Sequence, residues 1–271
     1  MNEILTDLGD AALTDAMKSN FYGWLLANTQ PPLAEVRTWP SLTCWHTAVT
    51  GPWYRGILIR QPAADGDRAI LREVLDFFTV RDVRALTCWL AVGVATAGWD
   101  EVLLELGFTP DVEPQGMAIY LSALSENYPV AGDFHIRVVR DAESFGEWGR
   151  TAIAGFGVPV ATGQPLVDLI AAAGLELPFR HYTGYLDGKP VATSSLFLGA
   201  GVAGVNDVAT LPEARRRGIG AAMTAAPLRD AQALGYRAGT LQATDMGLPV
   251  YERMGFRKLC DIEHYMWKRP A

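Results

Sequence analysis

The 271-residue chain contains only three cysteines and four histidines. The cysteines, Cys44, Cys88 and Cys260, are widely separated and odd in number, so they predict reduced thiols rather than a disulfide framework. None of the histidines has the spacing of metal ligands, so we expect no metal cofactor. A disulfide-rich secreted domain and a zinc site of the common kinds are therefore not predicted.

Long hydrophobic runs are also missing. The most apolar stretch, residues 86–98, is shorter than the roughly 20 residues that a transmembrane helix needs. The first residues, MNEILTDLGD, contain no basic segment followed by an apolar one, so we expect no secretory signal. These features predict a cytoplasmic protein with no membrane partner.

An excess of positive charge is absent as well, because the net charge is −7. Residues 1–128 carry 16 acidic and 8 basic side chains, a net charge of −8, whereas residues 129–271 carry 14 and 15, a net charge of +1. This distribution argues against nucleic acid binding. The acidic first half either keeps the protein soluble or attracts a cationic substrate.

The second half of the sequence alternates strands and helices. Asp187-Gly188 lies between two β-rich runs, residues 179–186 and 191–198, and predicts a hairpin. Further elements are predicted as a strand at 134–139, helices after Asp141 and at 163–174, a strand at 202–210, a helix ending near Leu234, a strand at 237–243, a helix at 247–254 and a strand near 262–267.

The first half of the sequence resembles a degenerate repeat of the second half. Residues 103–108, LLELGF, align with residues 251–256, YERMGF, at an offset of 148 residues. Such internal similarity indicates repeated architecture. We therefore predict an α/β fold, with an α+β mixed sheet, in two tandem domains, 1–128 and 129–271, divided in the polar stretch 125–132. Elements predicted in the first half are a hairpin of strands 43–49 and 54–60, a helix at 67–80, a strand at 84–90, a helix ending in residues 103–108 and a strand at 115–121.

Residues 213–223, EARRRGIGAAM, place three arginines and two glycines at the start of a predicted helix. A helix start has unpaired N–H groups and partial positive charge, glycine permits close approach, and arginine suits phosphate oxygens. Together they predict a pyrophosphate cradle. The stretch has no Walker pattern, and Met223 stands at the third position of the dinucleotide fingerprint, whereas residues 215–220 fit the coenzyme A loop, [RQ]xxGx[GA]. The alternative is a solvated helix start.

Two motifs, VATLPEARRRGIGAAM at 208–223 and LQATDMGLPVYERMGF at 241–256, resemble the GNAT superfamily of N-acetyltransferases, and the resemblance covers residues 133–267. It implies two tandem GNAT-like domains, each a mixed central β-sheet flanked by helices. The first would be degenerate, because it lacks the coenzyme A loop. Acetyl-CoA would be the co-substrate. The residues implied to bind it are Val208, Ala209, Thr210, Arg215, Arg216, Arg217, Gly218, Ile219, Gly220, Ala221, Thr244 and Tyr251.

The resemblance also implies a catalytic role for Tyr251, as the proton donor to the departing thiolate. Leu103 occupies the matching position of the first half, which favours function over packing. The alternative is a core aromatic beside Met254 and Phe256.

A general base is less clearly marked. Some members of the family have a glutamate on the strand before the loop, where this chain has Gly204. Asp207 is the candidate base, acting through a water, unless its side chain points into solvent. Thr244 stands where asparagine is frequent and can still donate a hydrogen bond. Of the histidines, His264 is the one expected near the site.

These features predict an acetyl-CoA-dependent N-acetyltransferase that transfers an acetyl group directly to an amine of a small molecule or peptide. One alternative is a non-catalytic acyl-CoA-binding sensor. Another is a transferase that uses a longer acyl or an aminoacyl donor.

Overall fold

The computed structural model describes residues 3–95 and 98–269. Its helices are α1 (Asp10–Asn28), α2 (Asp67–Val80), α3 (Trp99–Glu105), α4 (Ala142–Phe156), α5 (Val160–Ala173), α6 (Ile219–Ala233) and α7 (Leu248–Met254). Its strands are β1 (Ala34–Thr38), β2 (Leu42–Thr47), β3 (Arg55–Ile59), β4 (Ala85–Leu90), β5 (Phe108–Tyr120), β6 (Phe134–Val138), β7 (Phe179–Leu186), β8 (Lys189–Gly199), β9 (Val202–Thr210), β10 (Ala238–Ala243) and β11 (Arg257–Lys268).

The chain forms two compact units, and each is built from two separate stretches. The first unit contains Met1–Trp24 and Pro114–Cys260, and the second contains Leu25–Glu113 and Asp261–Ala271. The predicted boundary between residues 128 and 129 does not coincide with this division, because the long strands β5 and β11 each pass from one unit to the other. A polar turn marks a break in secondary structure, whereas packing decides the compact units. The division of the sequence into two repeats stays a prediction.

The first unit contains a mixed sheet in the order β5-β10-β9-β8-β7-β6. Strands β9 and β10 are parallel and are joined by α6, and the other neighbours are antiparallel. Helix α6 buries Met223 and Leu228 in one cluster with Leu196 and Val205 of the sheet. Burying each such side chain stabilises the fold by about 1.5–3 kcal/mol, so this cluster fixes α6 on its face of the sheet.

The opposite face of this sheet is covered by other helices. Side chains alternate along a strand, so Val202 points away from the α6 face, and there it packs with Leu13 and Ala16 of α1. Trp148 of α4 forms a further buried cluster with Val167 of α5. Helices therefore flank the mixed sheet on both faces, as predicted for the fold class.

The second unit contains a smaller mixed sheet in the order β1-β2-β3-β4-β11. Strands β3 and β4 are parallel and are joined by α2, whose Leu71, Val74 and Phe78 are fully buried in the core of this unit. The strand–helix–strand unit β3-α2-β4 thus has the same connectivity as β9-α6-β10.

The two segments aligned in the sequence, 103–108 and 251–256, contain the ends of two short helices, α3 and α7. Helix α3 is followed by Gly107 (φ 84°) and α7 by Gly255 (φ 96°), both in the left-handed region. The phenylalanine that comes next, Phe108 or Phe256, is buried in each case. In both pairs, therefore, the glycine ends the helix and the phenylalanine packs in the core.

Sequence patterns missed α1 and β1 but predicted the other helices and strands. Helix α1 buries residues on more than one side, including Leu13, Asn20, Phe21 and Tyr22. Its sequence consequently lacks the single apolar stripe by which a surface helix is found.

Candidate active site

The parallel strands β9 and β10 diverge. Among the described residues they pair only at Ala203–Gly239 and Gly204–Thr240, although β9 continues to Thr210. Strand β8 occupies the other edge of β9 over its whole length. The edge of β9 beyond Gly204 therefore carries backbone groups without a strand partner, and an extended ligand can pair with them.

A bulge interrupts β9 where the strands have separated. The register with β8 passes from Thr193–Ala209 to Ser195–Asn206, so Asp207 and Val208 stand opposite one residue. Asp207 has a φ of 54°, a conformation that costs a non-glycine residue energy. Thr193 Oγ1 donates to the Asp207 carbonyl at 2.9 Å and helps to hold it. Bulges of this kind re-aim side chains near active sites.

The loop after β9 leads into the N-terminus of α6. The amide of Ala222 donates to the Gly218 carbonyl, so the amides of Ile219, Gly220 and Ala221 lie ahead of the intrahelical ladder. Gly218 has a φ of 86°, and a Cβ there would lie 2.5 Å from the Pro129 carbonyl oxygen, so no other residue fits. A Cβ on Gly220 would meet nothing within 4 Å. The helix start is thus open to a ligand at Gly220.

The three arginines of the loop have different surroundings. Arg215 donates to the carbonyl oxygens of Thr210 (3.0 Å) and Gly155 (2.9 Å), and so ties the loop to β9 and to the end of α4. Arg216 and Arg217 are exposed. The structure therefore gives Arg215 a clamping role in the loop, and its contact with a pyrophosphate stays a prediction.

The other residues predicted to bind acetyl-CoA differ in which of their atoms a ligand could reach. Ala209 is buried against α4, where a Cβ on Gly155 would lie 2.9 Å from the Ala209 Cβ. Ile219 is buried in the α6 cluster, so only its backbone is available. The Thr244 hydroxyl accepts a hydrogen bond from the Gly247 amide at 3.3 Å, which supports the start of α7. Val208 is half-buried.

Tyr251 lies in α7, partly buried at the edge of the α6 cluster. Its ring centroid is 5.8 Å from that of Phe256, so it does pack as a core aromatic. Burial raises the pKa of Tyr251 to about 12, against the opposing effect of a hydrogen bond with the Thr224 hydroxyl. Tyr251 therefore holds its proton at neutral pH.

The place where some family members have a glutamate is filled in this chain. A Cβ on Gly204 would lie 2.1 Å from Asn20 Oδ1. Asn20 comes from α1, is 2% exposed, and donates to the carbonyls of Phe197 and Gly199 at 3.3 and 3.0 Å. A glutamate at residue 204 is therefore excluded. Sequence reasoning missed Asn20, because a single asparagine gives no signal.

Asp207 has an unusual carboxyl group. Its Oδ2 atom is shielded from solvent and has no hydrogen-bond partner among the described residues. Burial raises the pKa of Asp207 to about 6, although a hydrogen bond with Ser195 lowers it. The carboxyl therefore does not point into bulk solvent, and it changes charge close to neutral pH. Ser195 was missed by sequence reasoning, and the signal was the polar run Thr193-Ser194-Ser195 inside a buried strand.

His264 is a buried residue of β11. It belongs to the second unit, is 3% exposed, and lies against the Trp89 ring and 3.9 Å from the Asp111 carboxylate. The expectation that His264 lies near the site was based on the nearby sequence. Strand β11 leaves the first unit at Cys260, and the placement of His264 near the site stays a prediction.

In the second unit, the parallel pair β3–β4 has no comparable gap. The strands pair continuously from Gly56–Thr87 to Ile59–Leu90. At the start of α2, the Asp67 carboxylate accepts from the Ser41 hydroxyl at 2.6 Å and from the Ala64 amide at 2.8 Å. Asp67 is buried, so the protein's own anion fills this helix start.

Other classes of site receive no support from the described part of the chain. Within it, no group of three or more His, Cys, Asp or Glu could hold a metal ion. No helix there is long and apolar enough to cross a bilayer.

Comparison with known proteins agrees with this geometry. Residues 178–258 match the family model described as an acetyltransferase (GNAT) domain. Comparison with curated proteins finds no match.

Solved structures with the same fold cover almost the whole chain. A GCN5-related N-acetyltransferase from Kribbella flavida has a TM-score of 0.66 at 19% identity, over 98% of each chain. A tandem GNAT protein from the clavulanic acid biosynthesis pathway has a TM-score of 0.61 at 12% identity, over 99% of this chain and 98% of that one. A GCN5-related N-acetyltransferase from Sphaerobacter thermophilus has a TM-score of 0.58 at 14% identity, over 85% of this chain and 82% of that one. Residues 178–258 therefore match a GNAT acetyltransferase domain, and the chain as a whole shares the fold of these solved structures.

Proposed function

We propose that the first unit is an acetyl-CoA-dependent N-acetyltransferase that acts on an amine of a small molecule or peptide. The divergence of β9 and β10 beside the open start of α6 is the observation that carries the proposal. Acetyl-CoA would supply an activated acetyl thioester. The free edge of β9, the amides of residues 219–221, and Arg216 and Arg217 suit its pantetheine arm and its pyrophosphate.

The chain's own groups would divide the chemistry between them. Asp207 accepts a proton from the attacking amine, directly or through a water, and the Val208 amide stabilises negative charge on the carbonyl oxygen. Tyr251 donates a hydrogen bond to the sulfur. A tyrosine with a pKa of about 12 does not simply protonate a solvated thiolate, for which we take a conjugate-acid pKa of about 8.5. Burial also raises the pKa of the thiol that the departing sulfur forms. The Tyr251 proton can therefore pass to the sulfur as negative charge develops on it.

The direct test is thiol release from acetyl-CoA in the presence of a panel of primary amines, small and peptidic. The proposal predicts release that depends on both acetyl-CoA and one class of amine. Parallel reactions with longer acyl-CoA thioesters distinguish a different donor. Binding of acetyl-CoA without release for every amine would instead identify a sensor.

One acetyl-CoA should bind per chain. The described residues of the second unit form a closed strand pair and a helix start filled by Asp67, and they offer neither a gap nor a free anion site. Isothermal titration calorimetry with acetyl-CoA measures the stoichiometry directly. A value of two would contradict the assignment of a single cofactor loop.

Asp207→Asn should abolish turnover and, at neutral pH, stabilise the fold. Burial raises the pKa of Asp207 from its ordinary 3.8 to about 6. The folded state therefore binds the proton more tightly, and the ionised form destabilises it above about pH 6. At about 1.4 kcal/mol per pKa unit, we expect the free energy of unfolding to rise by up to about 3 kcal/mol at pH 7.

The control for this prediction is pH. The ordinary pKa of the unfolded Asp207 is 3.8, so the advantage of Asp207→Asn should shrink as the pH falls below about 6 and disappear at about pH 3, where both states are protonated. Urea unfolding of the two proteins at about pH 7 and about pH 3 measures the difference, to which the other titrating groups contribute equally. If the wild type and Asp207→Asn are equally stable at each of the two pH values, Asp207 is not desolvated in the folded state.

A further inference from the structure

We infer that His181 and Ser195 are positioning residues, which hold the Asp207 carboxylate by a buried chain of hydrogen-bond donors and leave Oδ2 free for the substrate amine. The inference rests on the proposed function only in taking the ligand of Oδ2 to be a substrate amine. The hydrogen-bond chain itself is a property of the folded protein.

The three residues come together because of strand register. His181 of β7 pairs with Ser195 of β8, and Ser195 pairs with Asn206 of β9, so their side chains share one face of the sheet. The β9 bulge then brings Asp207 to the same hydroxyl. His181 Nδ1 lies 2.8 Å from Ser195 Oγ, and both residues are 1% exposed. Ser195 is thus the link between the histidine and the carboxyl group.

His181 has the protonation state that this role requires. Its ring is enclosed by Phe145, Trp148 and Phe179, with centroids 5.4, 5.0 and 6.4 Å away. Burial lowers the pKa of His181 to about 4, despite a contact with the Gly174 carbonyl. A neutral imidazole has one N–H group.

An ionised Asp207 carboxylate can only accept, so the Ser195 hydroxyl must donate to it and must itself accept from His181 Nδ1. Nε2 is 3.4 Å from the Gly174 carbonyl oxygen, against 2.8 Å between Nδ1 and Ser195 Oγ. We assign the proton to Nδ1 when Asp207 is ionised. The ring then donates to Ser195, and the Ser195 hydroxyl donates to the carboxylate. This order of donors stabilises the ionised form of Asp207.

Two unsatisfied atoms indicate that the carboxylate faces a polar ligand. Asp207 Oδ2 and Asn206 Nδ2 are both buried without a hydrogen-bond partner among the described residues, and such atoms in a native fold require an explanation. Oδ2 can accept a hydrogen bond from an amine nitrogen, and Asn206 Nδ2 can donate one to an oxygen of a ligand.

No charged side chain contributes to the pKa shift of Asp207, whose causes are burial and the Ser195 hydroxyl. Glu147 of α4 is occupied by the Tyr185 hydroxyl. The other charged groups on the helices over this face are Asp10, Asp15 and Lys18 of α1, Glu143 and Arg150 of α4, and Asp168 of α5. A change in the titration of Asp207 on removal of one hydroxyl therefore reports the hydrogen bond.

The test is a titration of the Asp207 carboxyl by ¹³C NMR in the full-length protein, with Asp207→Asn to assign the signal. Ser195→Ala removes the donor, so the pKa of Asp207 should rise by about one unit. Ser194→Ala is the matched control, because Ser194 is equally buried and its hydroxyl has no hydrogen-bond partner in the described part of the chain. It should leave the pKa unchanged. An unchanged pKa in Ser195→Ala, or equal rises in both variants, would overturn the inference.

His181→Phe provides a second route, since it keeps a ring in the aromatic enclosure and removes the donor. It should raise the pKa of Asp207 by less than Ser195→Ala does, and the double variant should show no further rise. If the double variant shows the sum of the two rises, His181 does not act through Ser195, and the chain is refuted.

The pH dependence of kcat/KM distinguishes a positioning role from a merely structural one. The acid limb of kcat/KM in Ser195→Ala should shift upward by the same unit, with about tenfold lower activity below pH 6 and near wild-type activity at pH 9. An equal loss at every pH would contradict positioning. If the wild type accepts no amine, the proposed function fails, and the NMR titration still decides the inference.

Discussion

We expect Gly220→Glu to eliminate acetyl-CoA binding without unfolding the protein. The Gly220 amide lies in the first turn of α6, and a Cβ there points into open space. A glutamate would place a carboxylate where we propose that the pyrophosphate binds. Like charges in such contact cost several kcal/mol, so the Kd should rise by at least about 100-fold. Calorimetry with acetyl-CoA measures the loss.

The fold itself should tolerate this substitution. Glutamate is a better helix former than glycine, and a negative charge at a helix N-terminus is favourable by about 0.3–1 kcal/mol. The thermal midpoint of Gly220→Glu should therefore equal or exceed that of the wild type. Gly220→Gln is the matched control for size, and it should bind acetyl-CoA more tightly than the glutamate variant does. Wild-type affinity in a folded Gly220→Glu protein would mean that the loop does not bind the pyrophosphate.

Tyr251→Phe should lower turnover by roughly 10²–10⁴, the usual contribution of a positioned acid. The substitution removes one hydroxyl and keeps the ring that packs 5.8 Å from Phe256. Thr224 keeps its own hydrogen bond to the Gly220 carbonyl at 2.9 Å. Stability and acetyl-CoA affinity should consequently change little. The rate of thiol release at saturating substrate measures the effect.

A second variant separates chemistry from packing. Tyr251→Ala removes the ring as well and should lose stability in addition to activity, because the α6 cluster loses a partner. If Tyr251→Phe is well folded and keeps normal turnover while Tyr251→Ala only unfolds more easily, Tyr251 is a core residue and has no part in the mechanism.

The sequence predicted local structure better than it predicted packing. The Asp187-Gly188 hairpin and strand β9 were found because their signals lie within a few residues. The compact units were not found, because the passage of β5 and β11 between them depends on contacts far apart in sequence. Helix α1 was missed because tertiary packing buries it on several sides, so its sequence shows no single apolar stripe.

The candidate site shows the same division. Gly218 and Gly220 were identified from a short motif, and the structure supplies a steric reason for Gly218 and open space beside Gly220. Asn20, His181 and Ser195 come from three distant elements, and only strand register and the bulge at Asp207 bring them to β9. No spacing rule in the sequence expresses that arrangement. The residues that tune the proposed base therefore required the fold.

The most direct test of the proposed acetyl transfer is a product balance. The protein is incubated with acetyl-CoA labelled in the acetyl group and with the best amine of the panel, and free thiol and labelled N-acetyl product are quantified together by mass spectrometry. We predict equal amounts of thiol and N-acetylated amine, with neither formed by Gly220→Glu. Thiol without acetylated amine, or bound acetyl-CoA that is never consumed, would contradict direct acetyl transfer by the first unit.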